Sequence, residues 1–244
     1  MTDKLIFGIY PVLEALRSGV ILDSIFIKKN LEGNNISEIV SLAKKYEIPI
    51  NNVPIEKLNR LTGKRHQGII ATYSQVIYSP IEEIITGAFE SGLSPLILVL
   101  DGITDVRNFG AISRSAECAG ITAIVFQFKN SAPVNSVAIK ASAGALLNIP
   151  LCRVPNLKNT VAYLKDSGLQ IVGASEKNSL PYYKLNYNIP TAIVMGSEDM
   201  GINPEILKLC NENITIPMSG KIQSLNVSVA TGIILFEAFK NRTL

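Results

Sequence analysis

The five consecutive apolar residues 96–100 (LILVL) constrain the fold more than any other stretch of the chain. A strand with one wet face alternates apolar and polar side chains. An unbroken apolar run closed by turn residues, here Asp101-Gly102, belongs instead to a strand covered on both faces, as in a parallel sheet. The same grammar recurs downstream. Ile112, Ala116 and Ala119 make one face of a helix that Asn108 and Gly110 precede and Gly120 ends. Strands are predicted over 121–126, 151–154, 169–173 and 192–195, and helices over 135–147 and 157–165. Repeated βα units predict an α/β fold with a mainly parallel sheet between two helical layers. No GxGxxG follows an early strand, so the ordinary dinucleotide-binding fingerprint is excluded.

Residues 1–75 show shorter patterns. Val12, Leu13 and Leu16 mark a helix ending near Gly19; strands are predicted over 24–28, 48–53 and 68–73, and helices over 36–46 and 54–61. That is a small α/β domain. Residues 76–94, punctuated by Pro80, Gly87 and Gly92 around a short acidic helix over 81–89, read as a linker to a second domain at 95–244.

Charge separates the two domains. Residues 1–75 hold ten Lys and Arg against seven Asp and Glu, so the whole net charge of +3 belongs to the N-terminal third. This suits an RNA-gripping module joined to a neutral one, and equally suits ordinary surface solvation. The loop 63–68 (GKRHQG) offers Lys64, Arg65, His66 and Gln67, all able to bond phosphate or base edges, although a lone histidine in such a loop is as readily structural. It is no P-loop, because the spaced upstream glycine and the following Ser or Thr are missing. Cys118, Cys152 and Cys210 lie far apart with no CxxC pair, which argues against a disulfide framework or a metal site and for reduced packing residues. No apolar run approaches the roughly 18 residues of a membrane span, and the first residues lack a signal-peptide pattern. A cytoplasmic protein without membrane or metal is expected.

Near the C-terminus a strand over 214–217 meets a polar loop over 219–223. Leu225, Val229, Ile233, Phe236 and Lys240 then fall at helical spacing, with Ser224 placed as the N-cap. The start of such a helix offers free N–H groups and a positive dipole end to an anion or a polar ring edge. Asn226 and Ser228 either face a ligand there or solvate the exposed side.

This stretch (IPMSGKIQSLNVSVATGIILFEA), with NFGAISRSA from Asn108 and VMGSEDMGI from Val194 upstream, resembles the three signature motifs of the SpoU (TrmH) family of RNA ribose 2′-O-methyltransferases in the SPOUT superfamily. Three motifs in order across about 120 residues are far more specific than any one alone. FGIYPVLEAL and HQGI are similar to landmarks of the L30e-like RNA-binding domain that relatives carry. The resemblance implies that domain at the N-terminus, with Lys64, Arg65, His66 and Gln67 as RNA contacts, and a C-terminal SPOUT domain closed by a trefoil knot. It also implies S-adenosylmethionine as methyl donor, a ribose 2′-hydroxyl as acceptor, and a homodimer, for which Ser228, Ala230, Thr231 and Gly232 supply a small-residue surface unless they pack within one subunit. The similarity is nearest to members that modify a guanosine of 23S ribosomal RNA. A transfer RNA ribose methyltransferase and a non-catalytic RNA-binding assembly factor are the alternatives.

Matched position by position, the resemblance implies Asn108, Arg114, Glu198, Ser224 and Asn226 at the reaction centre. Gly196, Gly201, Ile216, Met218 and Leu225 would surround the cofactor's adenosine. Arg114 matches the family's proposed base, yet a guanidinium holds its proton to a pKa above about 12. It either takes the hydroxyl proton or clamps a neighbouring phosphate while Glu198 orients it. Two departures, DVRN without the frequent proline and Asp199 in place of a frequent glycine, affect loop geometry and remove no chemical group.

Overall fold

The computed structural model describes residues 5–20, 22–46, 48–73, 76–176, 179–221 and 224–243. The chain divides into two compact units, one of residues 1–77 with 134–136 and one of residues 78–133 with 137–244.

In the first unit, β1 (Leu5–Phe7), α1 (Ile9–Arg17), β2 (Leu22–Lys28), α2 (Asn34–Lys45), β3 (Ile50–Val53), α3 (Ile55–Leu61) and β4 (Ile69–Tyr73) follow in order. The sheet runs β1-β4-β2-β3, with β2–β3 paired parallel and β1–β4 and β4–β2 antiparallel. Strand alternation sends Ile25 and Ile27 into the larger core shared with α1 and α2, and Phe26 to the opposite face, against Ile70 and Leu58 of α3.

The second unit contains α4 (Ile81–Glu90), β5 (Leu96–Asp101), α5 (Val106–Cys118), β6 (Ala123–Gln127), α6 (Ser136–Ala141), β7 (Leu151–Val154), α7 (Leu157–Asp166), β8 (Gln170–Ala174), β9 (Leu180–Pro181), β10 (Thr191–Gly196), α8 (Pro204–Leu207), β11 (Glu212–Thr215) and α9 (Val227–Thr243). Its sheet runs β7-β6-β5-β10-β8-β11-β9, and every pair is parallel. All of Leu96–Leu100 is buried, as an unbroken apolar run requires. Ile97 and Val99 join Ile81 and Ile85 of α4 and Val161 of α7 in one core. On the other face Phe126, the register partner of Leu100, meets Phe109 of α5 edge-on at 5.0 Å.

Chain order reverses at β5. β6 and β7 extend the sheet to one side, whereas β10, β8 and β11 build the other, and crevices for ligands form beyond the carboxyl ends of strands at such a switch point.

Several expectations are corrected. The segment expected as a linker folds with the second unit from Tyr78 onward, because Ile81 and Ile85 of α4 are core residues. The helix expected over 135–147 breaks: Ala143 (φ 51°) and Gly144 (φ 89°) turn left-handed between α6 and a short 3₁₀ turn at Ala145–Leu147. α5 starts before Asn108, since the Asp105 side chain caps it by accepting from the amides of Arg107 and Asn108. α9 starts at Val227 rather than near Ser224, and Ile222 and Gln223 of the expected polar loop lie outside the described residues. Cys118 is exposed and so packs no core. No described helix is long and apolar enough to cross a membrane.

Candidate active site

Three parallel strands, β10, β8 and β11, end side by side, and the loops leaving them frame a cavity of about 440 Å³. Its walls are apolar where Met195, Ile214, Ile216, Leu225 and Ile234 meet, and main chain where residues 196–201 turn. A pocket of this size and character fits a small molecule with a flat ring and a few polar groups. All five residues expected around an adenosine, Gly196, Gly201, Ile216, Met218 and Leu225, line it.

The two glycines are required for different backbone reasons. A Cβ on Gly196 would lie 2.1 Å from the carbonyl carbon of Gly201 and 2.3 Å from the nitrogen of Ile202, so the strand end is pressed onto the returning loop. Gly201 has open space around it but a φ of +66°, which side-chain-bearing residues adopt at a cost. Glycine at 196 therefore serves loop closure directly, and the cavity only through it.

At the rim, the expected catalytic residues form a network around one carboxylate oxygen. Glu198 Oε1 accepts from Asn226 Nδ2 (2.6 Å), from the Val227 amide (3.0 Å) and from Asn108 Nδ2 (3.3 Å). Asn226 Nδ2 also donates to Asn108 Oδ1 at 3.1 Å. Asn226 caps α9 through its own Oδ1, which accepts from the Ser228 amide and hydroxyl. Glu198 adds a negative charge and a second acceptor at the same helix start, where the dipole and the orphan N–H groups favour both. Because a Cβ on Gly232 of α9 would lie 3.6 Å from Ser115 Oγ of α5 while Asn226 meets Asn108, the two helices run side by side in the same direction. Both helix starts therefore face the rim.

Ser224 lines the cavity, exposed, but does not cap α9. Arg114 is not part of the network. It stands exposed six residues beyond Asn108, about 9 Å further along the axis of α5, without a hydrogen bond or ion pair among the described residues. The expected orientation of Arg114 by Glu198 is not formed, because that carboxylate is committed to the start of α9. Sequence reasoning missed the end of β8 and the loop after it, where Ala174, Ser175 and Glu176 also line the cavity, and Ala230 and Ile234 of α9.

Residues 95–236 match the model of the SpoU rRNA Methylase family, and residues 5–79 match that described as RNA 2′-O ribose methyltransferase substrate binding. The chain belongs to the SpoU family. A Staphylococcus saprophyticus protein named for the TrmH family of tRNA/rRNA methyltransferases is 34% identical over 242 residues, covering 99% of this chain and 97% of that protein. Among solved structures, an AdoMet-bound rRNA methyltransferase from Sinorhizobium meliloti superposes with a TM-score of 0.62 at 23% identity, covering 98% of this chain and 87% of the other, a likeness of fold. A TrmH/SpoU tRNA modifying enzyme from A. aeolicus superposes with a TM-score of 0.56 at 32% identity, covering 66% of this chain and 84% of the other.

In the SpoU substrate-binding unit, the four loop residues divide in two. Lys64 and Arg65 are exposed, with the Lys64 ammonium 5.2 Å from the centre of the Phe7 ring. His66 is buried and both ring nitrogens are engaged: Nδ1 accepts from the Gly68 amide at 3.1 Å, so Nε2 carries the proton and donates to Asn59 Oδ1 at 2.8 Å. Gln67 adopts φ +53° and its Oε1 accepts from the Ile9 amide at 3.0 Å, serving the uncapped start of α1. The structure thus corrects His66 from an RNA contact to an internal pin of the loop, and ties up the acceptor of Gln67.

Proposed function

We propose that this SpoU family chain methylates the 2′-oxygen of a guanosine ribose in 23S ribosomal RNA, using S-adenosylmethionine held in the cavity beyond β10, β8 and β11. The observation that carries the proposal is the convergence of Asn108, Glu198 and Asn226 at the rim of that cavity.

Bound at this site, S-adenosylmethionine supplies a methyl group activated by a positively charged sulfur. The chain's task is alignment, exclusion of water and help with the hydroxyl proton. Ile214, Ile216, Leu225 and Ile234 would flank the adenine ring, with main-chain groups of residues 196–201 and 216–218 giving specificity. Glu198, fixed by the α9 amide and by two asparagines, holds those asparagines in register toward a ribose. Arg114, exposed and unpaired among the described residues, suits a clamp on an adjacent RNA phosphate better than a base, because a free guanidinium keeps its proton at neutral pH. Lys64 and Arg65 would grip RNA from the first unit. Val229, Phe236 and Phe239 leave an outward apolar stripe on α9, which a second copy of the chain would cover.

The test is methylation of total RNA from a strain lacking this gene, with purified protein and labelled donor, followed by mapping of the modified ribose. Label at a single guanosine of 23S RNA is the expected result. Label in transfer RNA would replace the substrate in this proposal, and absence of label in every RNA despite cofactor binding would refute catalysis on free RNA. An Arg114→Lys enzyme should lose rate while keeping the shape of its pH profile; a profile shifted by the new pKa would restore the base role.

A further inference from the structure

We infer that Glu176 is the cavity's selector for the positively charged donor over its spent, demethylated form; the inference rests on the cavity being the S-adenosylmethionine site. Among the described residues lining the cavity there is no Lys, Arg or His, and the charged side chains are Glu176 and Glu198. They differ in what they already hold. Glu198 is spent on the start of α9, where three N–H donors and the helix dipole offset its charge. The Glu176 carboxylate has no hydrogen bond or ion pair among the described residues. Its main chain, by contrast, is fixed: the Ser175 amide donates to the Ile214 carbonyl at 3.0 Å, and the Ser179 hydroxyl donates to the Glu176 carbonyl at 3.2 Å.

Position gives that free charge a target. Glu176 follows β8, the strand lying between β10 and β11, so its loop rises at the middle of the cavity's edge, flanked by the loops of residues 196–201 and 216–218. A ligand filling the cavity would meet the residues that line it, Glu176 among them. S-adenosylmethionine carries one more positive charge than S-adenosylhomocysteine, at sulfur, and is otherwise nearly identical. A carboxylate with no partner among the described residues, at the edge of an apolar-walled site, therefore favours the first over the second.

Calorimetric titration of each compound into wild-type, Glu176→Gln and Glu176→Asp proteins tests this. For unit charges about 8 Å apart at an effective dielectric near 40, Glu176→Gln should lower the ratio of donor to product affinity by about fivefold, while Glu176→Asp keeps most of it. Unfolding temperatures of all three should coincide, since the carboxylate carries no structural bond among the described residues. If Glu176→Gln weakens both compounds equally, or neither, selection by Glu176 is overturned while the cavity remains the cofactor site. If wild-type protein binds neither compound, the cavity assignment falls, and this inference with it.

Discussion

Gly196→Ala should be disproportionately damaging for the addition of one methyl group. The new Cβ would sit 2.1 Å from the Gly201 carbonyl carbon, where ordinary contact begins at 3.4 Å. The loop must therefore retreat by about 1.3 Å, and because backbone meets backbone no side-chain rotation relieves it. Overpacking of this kind costs about 3 kcal/mol, the upper end of its usual range. At roughly 2–4 °C per kcal/mol for a unit of this size, the melting temperature should fall by about 6–12 °C. The retreating loop also carries Glu198, so S-adenosylmethionine affinity measured by calorimetry below the transition should drop about tenfold or more. Gly201→Ala is the control. Nothing crowds it, and only the positive φ is penalised, for about 1 kcal/mol and about 2–4 °C. Equal melting temperatures for the two variants would refute the distinction between a contact glycine and a conformational one.

Arg242 donates to four carbonyls, of Tyr187 (2.7 Å), Ser94 (2.6 Å), Ile189 (2.8 Å) and Pro95 (3.3 Å), without a carboxylate partner among the described residues, and burial lowers its pKa. Since two of those bonds are solvent-exposed, Arg242→Met should cost only about 2 kcal/mol in urea unfolding; a change under about 0.5 kcal/mol would show that water replaces all four bonds equally well. Hydrogen bonds from Lys208 and then Lys158 depress the Glu205 carboxyl from 4.5 to about 2. Its folded-state pKa being the lower, its contribution is present above about pH 4.5 and lost as pH falls toward 2. The small stability deficit of Glu205→Gln at pH 7 should accordingly vanish near pH 2 in unfolding curves. Burial pushes the Cys152 thiol up to about 12 and Cys210 up to about 11, whereas Cys118 is exposed. Alkylation of native protein at pH 8 followed by peptide mapping should label Cys118 alone, the other two reacting only after unfolding.

The parallel sheet was legible because burial on both faces leaves its mark in consecutive residues such as Leu96–Leu100. The start and the buried side of α9 were not. The spacing Leu225, Val229, Ile233 and Phe236 selected the outward face, for Val229 and Phe236 are about half exposed, whereas Val227, Thr231, Ile234, Leu235 and Ala238 are buried. A helix apolar nearly all round fits the helical period in more than one phase, and only packing against α5 chooses between them. Ser224 and Asn226 are both good caps by type. What decides is Glu198, 29 residues before Val227 and invisible to any local pattern. The same holds for Glu176, whose place at the cavity follows from β8 lying between β10 and β11 rather than from its neighbours in sequence. The two-residue strand β9 and the single turn α8 are too short to carry a period at all.

The bond between Asn226 and Asn108 spans 118 residues, which sets a clock on the birth of the site. At about 5–20 residues per second, a ribosome adds Asn226 roughly 6–24 s after Asn108. Of the strands β5 to β11, β5 precedes Asn108 and the other six are made within that interval, during which the rim has neither its final asparagine nor the amide that seats Glu198. A chain interrupted just before Asn226 carries every strand from β1 to β11 and an unassembled rim, so the network around Glu198 closes in one late step.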